Sequence, residues 1–419
     1  MFSDLISDVL PQRSGFLRNY VDYATQCSDA PEIYHVGVGL TVFASAVAHK
    51  ISCPWLAGRE LMPNLYTLLI GPSRSARKTA SMDAGIEILQ SCQHELVIPI
   101  PGSYEELVTQ VRATPKGCLL YREFGHFLKT TMRGYGEPIR TILNDLFDWP
   151  SNRPYVRNLR KGKTVIEPPI VLSMMGAIAT DLLFAYCDSE DWTGGFFGRM
   201  LMLYGERSRF RMPATWRSAH DMLVGTLQAY NAAAFPPCAG FSPQAWTAFE
   251  MWARWIDGQA HSVADRMQSH VAGTATLAAK ISLLYAADAG EPAAGVGWTI
   301  SYDAIARAIL FVDKLYMPSI FHLGERLRLG VWERDRGRVL DIIESTKDIG
   351  ISDRALIKRV RLEMKFLQSI IDTLRQEGSI TQTQDTRGLV YRVAANAGPI
   401  KSSGPPPGVI VPGWDVEKA

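Results

Sequence analysis

The chain is short of cysteine, of charge imbalance and of long apolar runs, and each shortage closes a class of protein. Its six cysteines (Cys27, Cys53, Cys92, Cys118, Cys187 and Cys238) are scattered, with no CxxC pair and no metal-ligand spacing to histidine. That pattern argues against a disulfide framework or a zinc module and for reduced, mostly buried thiols of a cytoplasmic protein. The formal net charge is +2 over 419 residues, so any polyanion must be held by local basic clusters rather than by a whole-protein field. The longest nearly apolar stretch, Val36 to Ala48, ends at His49-Lys50 after about 13 residues, short of the ~20 that cross a bilayer. The opening MFSDLISDVLPQR carries acids where a signal peptide carries basic residues. The expectation is a soluble chain without a membrane partner, whose 47% hydrophobic content can bury a real core.

Residues 1–62 read as a helical N-terminal segment, with Ser28-Asp29 and Pro31 as start signals for a helix through the apolar run. From Asn64 short apolar runs alternate with helical patterns: LYTLLIG (65–71), LVIPI (96–100), GCLLYREF (117–124), PPIVLSMMGAIA (168–179) and MLMLYGE (200–206). Strands separated by helices predict a largely parallel sheet in an α/β core over 63–210. A helical appendage is expected over 211–330, where Trp246, Phe249, Trp252, Trp255 and Ile256 recur at helical spacing and read as core packing. Residues 331–395 show two short helices, a third helix and a hairpin around Thr386-Arg387, the order of a winged helix-turn-helix. The Pro/Gly/Ser-rich 396–419 segment reads as a disordered tail.

The stretch LLIGPSRSARKTASMD (68–83) has the parts of a phosphate-binding loop: a strand, a glycine turn at Gly71, Lys78-Thr79, and a helix whose N-terminus favours anions. Its spacing differs. The P-loop signature places lysine six positions after the first glycine, whereas Lys78 stands seven after Gly71 and Ala76-Arg77 occupy the place of the second glycine. A residue with a Cβ resists positive φ by about 1–2 kcal/mol, so a different loop path is expected. A carboxylate for metal and water should end a neighbouring strand, and Glu123 offers it, although Arg122 replaces the acid usual before it.

The segments DAPEIYHVGVGL (29–40), PNLYTLLIGPSRSARKT (63–79), GCLLYREFGHFL (117–128), RKGKTVIEPPIVLSMMGAI (160–178) and TGGFFGRMLML (193–203) together resemble an uncharacterised family of P-loop ATPases. That family is encoded by phages, plasmids and integrated elements, often beside or fused to primase-polymerase domains, and its members are regarded as RecA-like or AAA+-like replicative helicase ATPases. The resemblance covers roughly residues 16–315. It implies an ATP- and Mg2+-dependent motor in which Gly71, Ser73, Ser75, Arg77, Lys78 and Thr79 cradle the nucleotide, Thr79 and Glu123 serve the metal, and Glu123 is catalytic. Arg199, after a Gly-rich turn, has two readings: an arginine finger reaching a neighbouring subunit's γ-phosphate, or an ordinary ion pair. Ser173 or Thr180 is a candidate for sensor-like polar contacts.

Two basic clusters suit a nucleic acid backbone. RPYVRNLRKGK (153–163) holds Arg153, Arg157, Arg160, Lys161 and Lys163 without an acid, with Tyr155 as a stacking ring; the alternative is a solvated basic hairpin. Lys358 and Arg359 lie in the C-terminal helix-turn-helix segment, which could equally dock protein. The resulting expectation is a ring-forming homo-oligomer, for instance a hexamer, driving single-stranded or forked DNA in mobile-element replication, with a primase as a partner in the bacterial cytoplasm. Its rivals are a catalytically degenerate DNA-binding scaffold and an ATP-dependent regulator or defence component that does not unwind.

Overall fold

The computed structural model describes residues 2–394 except 13–14, 100, 132–136, 151, 160–161, 188, 207–216, 261–262, 264, 292–296, 327–329, 347–348, 361, 363 and 387. It divides into two compact units, Met1–Arg326 and Leu327–Ala419. The centre of the first is a five-stranded parallel sheet of β1 (Tyr66–Gly71), β2 (Val97–Ile98), β3 (Lys116–Tyr121), β4 (Val171–Ala179) and β5 (Met200–Tyr204), in the order β2-β3-β4-β1-β5. The β1 sequence YTLLIG is buried at every position, and β4 at all but its last, as strands covered on both faces require. β2 is shorter than the LVIPI run suggests: it pairs only through Val97 and Ile98, and Pro99 and Pro101 beyond it have no N–H for a ladder.

Because the strands are parallel, the segments leaving β1, β3, β4 and β5 emerge at one edge of the sheet. In register, Gly71 lies beside Ala179, and Tyr121 beside Gly176. The chain passes from β1 to the far edge at β2 and returns, while β5 lies on the other side of β1. The strand order therefore reverses around β1 and β4, where open α/β sheets form a crevice at the carboxyl ends of their strands.

The apolar run of the N-terminal segment forms α1 (Glu32–Val47), a helix buried on all sides against the sheet. A Cβ on Gly37 would stand 2.3 Å from Leu203 Cδ1, so glycine permits this approach. The hydroxyls of Thr41 and Ser45 in the helix are partnered: Thr41 Oγ1 lies 2.7 Å from the Gly37 carbonyl and 2.6 Å from Thr67 Oγ1, and Ser45 Oγ donates to the Thr41 carbonyl (2.7 Å). Residues 53–54 and 60–61 add a short antiparallel pair where only helix is expected.

The helices between the sheet and Arg326 belong to the same unit. One of them, α2 (Asp265–Asp288), is tied to the rest by three buried side chains. His270 Nε2 lies 3.0 Å from the Trp192 carbonyl, Lys280 Nζ donates to Asn64 Oδ1 (2.7 Å), and Asp288 accepts from the backbone N–H groups of Phe16 (2.6 Å) and Leu17 (3.2 Å). The last contact caps the start of a helix over Phe16–Cys27 that has no side-chain cap of its own. The aromatic stripe on Pro243–Ala260 is divided: Phe249 and Ile256 are buried, while Trp246 is 44% exposed.

The second unit has helices Gly330–Glu344, Asp353–Val360 and Met364–Gln376, and strands Ile351–Ser352, Ile380–Asp385 and Gly388–Val393 in an antiparallel sheet. Val339, Ile343, Leu356, Leu367, Ile371 and Tyr391 belong to a hydrophobic core of its own. Elsewhere in the chain Cys53, Cys118, Cys187 and Cys238 are buried, and among the described residues no helix is long and apolar enough to cross a membrane.

Burial makes several imidazoles hard to charge. His35, on α1, has Nδ1 3.0 Å from the Ser81 hydroxyl, and desolvation lowers its pKa from 6.5 to about 4. Between these values the unfolded chain binds the extra proton and the folded one does not, so this contribution is lost as pH falls from 6.5 toward 4. His35→Gln is expected to remove up to about 3 kcal/mol of that acid-induced loss, read as a flatter dependence of the urea unfolding midpoint on pH over this window.

Candidate phosphate-binding site

The loop after β1 is drawn in tightly. A Cβ on Gly71 would stand 2.2 Å from the Gly205 carbonyl oxygen and 2.4 Å from the Tyr34 hydroxyl, so only glycine fits. That hydroxyl donates between the carbonyls of Ile70 (2.6 Å) and Gly205 (2.9 Å), closing the ends of β1 and β5 together. The chain then turns through Arg74 (φ 60°) and Arg77 (φ 52°), both left-handed without being glycine. Ala76, between them, is fully buried. The sequence argument that a Cβ resists positive φ is thus overridden at Arg77 itself, where Nε pairs with Asp29 Oδ1 at 3.3 Å.

Lys78 begins the helix α3 (Lys78–Cys92). Its side chain folds back beneath the loop, where Nζ donates to the carbonyls of Gly71 (2.9 Å) and Pro72 (2.8 Å). Burial lowers its pKa, and the nearby Glu123 carboxylate partly opposes that shift. The cation therefore rests on two neutral oxygens, with no carboxylate within ion-pair distance among the described residues.

A cleft of about 480 Å3 opens above this lysine. Its polar lining includes Ser73, Arg74, Arg77, Thr79 and Glu123, and Ile178 and Leu182 belong to an apolar wall. Arg122 also lines it and pairs with Asp83 Oδ1 at 2.7 Å, both side chains being about half exposed. Thr79 and Glu123 are exposed. The sheet thus brings Gly71, Ser73, Arg77, Lys78, Thr79 and Glu123 to one place, from two strands that are not neighbours. Ser75 lies in the turn outside the lining. Thr180, directly after β4, is 8% exposed, and its hydroxyl has no hydrogen-bond partner among the described residues. Ser173 lies toward the opposite end of β4 and accepts the Leu65 N–H at 3.3 Å.

Other expected site residues lie elsewhere. Arg199 immediately precedes β5, whose first residue is in register with Tyr66, so the length of β1, roughly 17 Å at ~3.3 Å per residue, separates it from Gly71. Within the chain it pairs with Asp148 (2.8 Å) and donates to the Gly195 carbonyl (2.7 Å). The basic segment forms a hairpin, Tyr155–Leu159 with Gly162–Ile166. Tyr155 is only 5% exposed; its hydroxyl donates to Asp145 (3.0 Å) and its ring meets Trp149 edge-on, so its faces are not open for stacking here. Arg153 is exposed, and Arg157 lies over the Tyr104 ring at 5.3 Å. Lys163 is in the second strand, and Arg160 and Lys161 fall outside the described residues. Lys358 and Arg359 are exposed in the second unit.

The sequence reading missed Arg74 and the partners Tyr34, Asp29 and Asp83. Only Arg74 carried a local signal, as a basic residue within the loop. Two variants test the loop geometry. Gly71→Ala is expected to lower stability by roughly 2–4 kcal/mol in urea unfolding, because the clash is with backbone. Arg74→Gly, at an exposed left-handed position, is expected to raise it by ~0.5–1 kcal/mol in the same measurement.

No protein-family model and no curated protein matches this chain.

Proposed function

We propose that the chain is a P-loop ATPase with a RecA-like or AAA+-like core, acting as a DNA motor in the replication of a mobile element. The observation that carries this reading is the placement of Lys78, a buried cation on neutral oxygens at the head of α3, in one cleft with Thr79 and Glu123. A triphosphate there would meet the α3 N-terminus and offer Lys78 charged acceptors in place of carbonyls. Its place at the reversal of strand order is where α/β sheets hold ligands.

In this reading Lys78 and Arg77 offset charge on the outer phosphates while Glu123 orients water and accepts its proton as the oxygen attacks the γ-phosphorus and ADP departs. The Thr79 hydroxyl, Glu123 and the phosphates are suitable hard oxygen donors for magnesium, which would supply charge neutralisation at the transferred group. Arg199 would act only across a subunit boundary, after release from Asp148. DNA would be followed by the basic residues of the 153–163 segment, and the second unit, read as a winged helix, would add a docking surface through Lys358 and Arg359. A ring of this chain and a separate primase complete the proposal.

Arg122 favours a second reading, a nucleotide-binding scaffold that has lost hydrolysis, since a cation stands where a metal-facing acid would help. Magnesium-dependent ATP hydrolysis with and without single-stranded DNA separates the two. Lys78→Ala and Glu123→Gln are each expected to lower turnover by about 10²-fold or more. Wild-type protein that binds ATP without turning it over supports the scaffold; protein that neither binds nor hydrolyses ATP sinks both readings.

A further inference from the structure

The charge inventory of the cleft is unusual for a site that depends on a metal to hold its nucleotide. Among the described residues Arg74, Arg77, Lys78 and Arg122 line it against the carboxylate of Glu123. Among the described residues no group of three or more His, Cys, Asp or Glu side chains stands ready for a metal. A magnesium ion bound with a nucleotide needs only one or two carboxylates and offsets phosphate charge; here guanidinium groups already supply that offset.

The cations are held by contacts that a phosphate could replace. Arg122 pairs with Asp83 at 2.7 Å, but with both side chains about half exposed this pair contributes little and exchanges readily. Arg77 pairs with Asp29 at 3.3 Å, with its own side chain 51% exposed. The Arg74 side chain makes no hydrogen bond or ion pair among the described residues, its carbonyl accepts the Arg77 N–H (3.3 Å), and its left-handed backbone belongs to the turn beside the cleft. The buried, unpartnered hydroxyl of Thr180 adjoins the same strand end, where Ala179 lines the cleft. Guanidinium groups present paired N–H donors that match phosphate oxygens, and their charge does not depend on a bound metal.

We infer that this site binds the polyphosphate of a nucleoside triphosphate through arginine without requiring a divalent cation, and that Arg122, exchanging Asp83 for a phosphate oxygen, is the residue that makes this possible. The inference rests on the nucleotide reading of the cleft but concerns binding alone. Magnesium keeps its place in hydrolysis. Arg122 thus changes from the residue that counts against the site to one that defines its selectivity.

The test is ATP affinity by calorimetry for the full chain, in EDTA and in magnesium, for wild type, Arg122→Ala and Arg122→Asp. Arg122 is half exposed, and circular dichroism and the unfolding midpoint establish that each variant is folded. Wild type is expected to bind in EDTA within about threefold of its magnesium affinity. Arg122→Ala should weaken binding in EDTA by about tenfold or more, the loss of one charge-assisted contact. Arg122→Asp should bind only when magnesium is present. Wild-type binding that demands magnesium, or an Arg122→Ala affinity in EDTA equal to wild type, overturns the inference while leaving the nucleotide site standing. No ATP binding under either condition removes both.

Discussion

The Tyr34 hydroxyl, placed between the carbonyls of Ile70 and Gly205, is the contact on which the site depends. It joins α1 to the carboxyl ends of β1 and β5 at the point where the loop departs, and leaves no room for a side chain on Gly71. With that end of the strand fixed, the following residues must turn within a short span, and Arg74 and Arg77 adopt left-handed backbone to do so. The turn in turn brings Lys78 back under the loop onto the Gly71 and Pro72 carbonyls. A close approach of three chain segments, more than any property of the loop sequence, positions the cation.

The same economy of contacts recurs through the first unit. Several polar groups buried in it have specific partners: Thr41 with Thr67, Lys280 with Asn64, Asp288 with the first N–H groups of the helix at Phe16. Each joins segments distant in sequence, and a buried polar group left without its partner is costly. Desolvation raises the Asp288 pKa to about 7 although two N–H donors work against it, so this cap is bought at some electrostatic expense. Packing of α1 and α2 around the sheet outweighs it.

Charge at the two ends of the sheet differs in kind. At the carboxyl end, cations held on carbonyls or on the carboxylates of Asp29 and Asp83 face an open cleft, an arrangement that anions can enter. At the other end, Arg199 is already occupied by Asp148 and Gly195, and Lys280 is enclosed over the Phe147 ring, 3.8 Å from its centroid. The parallel direction of every strand keeps these two sets apart by the length of β1. Arg199 is therefore separated from the cleft of its own chain by about the length of β1.

Much of the architecture was legible locally. Continuous apolar runs such as YTLLIG and VLSMMGAIA identify central parallel strands because covered strands must be apolar on both faces, and Lys78-Thr79 at the start of a helix marks a candidate anion site. Glu123 could be placed at a strand end by the same reasoning. What sequence alone determined is the kind of element and the chemistry each could present. Only the tertiary structure decided that β4 inserts between β1 and β3, that Tyr155 packs against Trp149 instead of facing outward, and that Asp83 holds Arg122. Those outcomes arise from pairing between segments far apart along the chain, and local periodicity carries no record of which distant surface a side chain will meet.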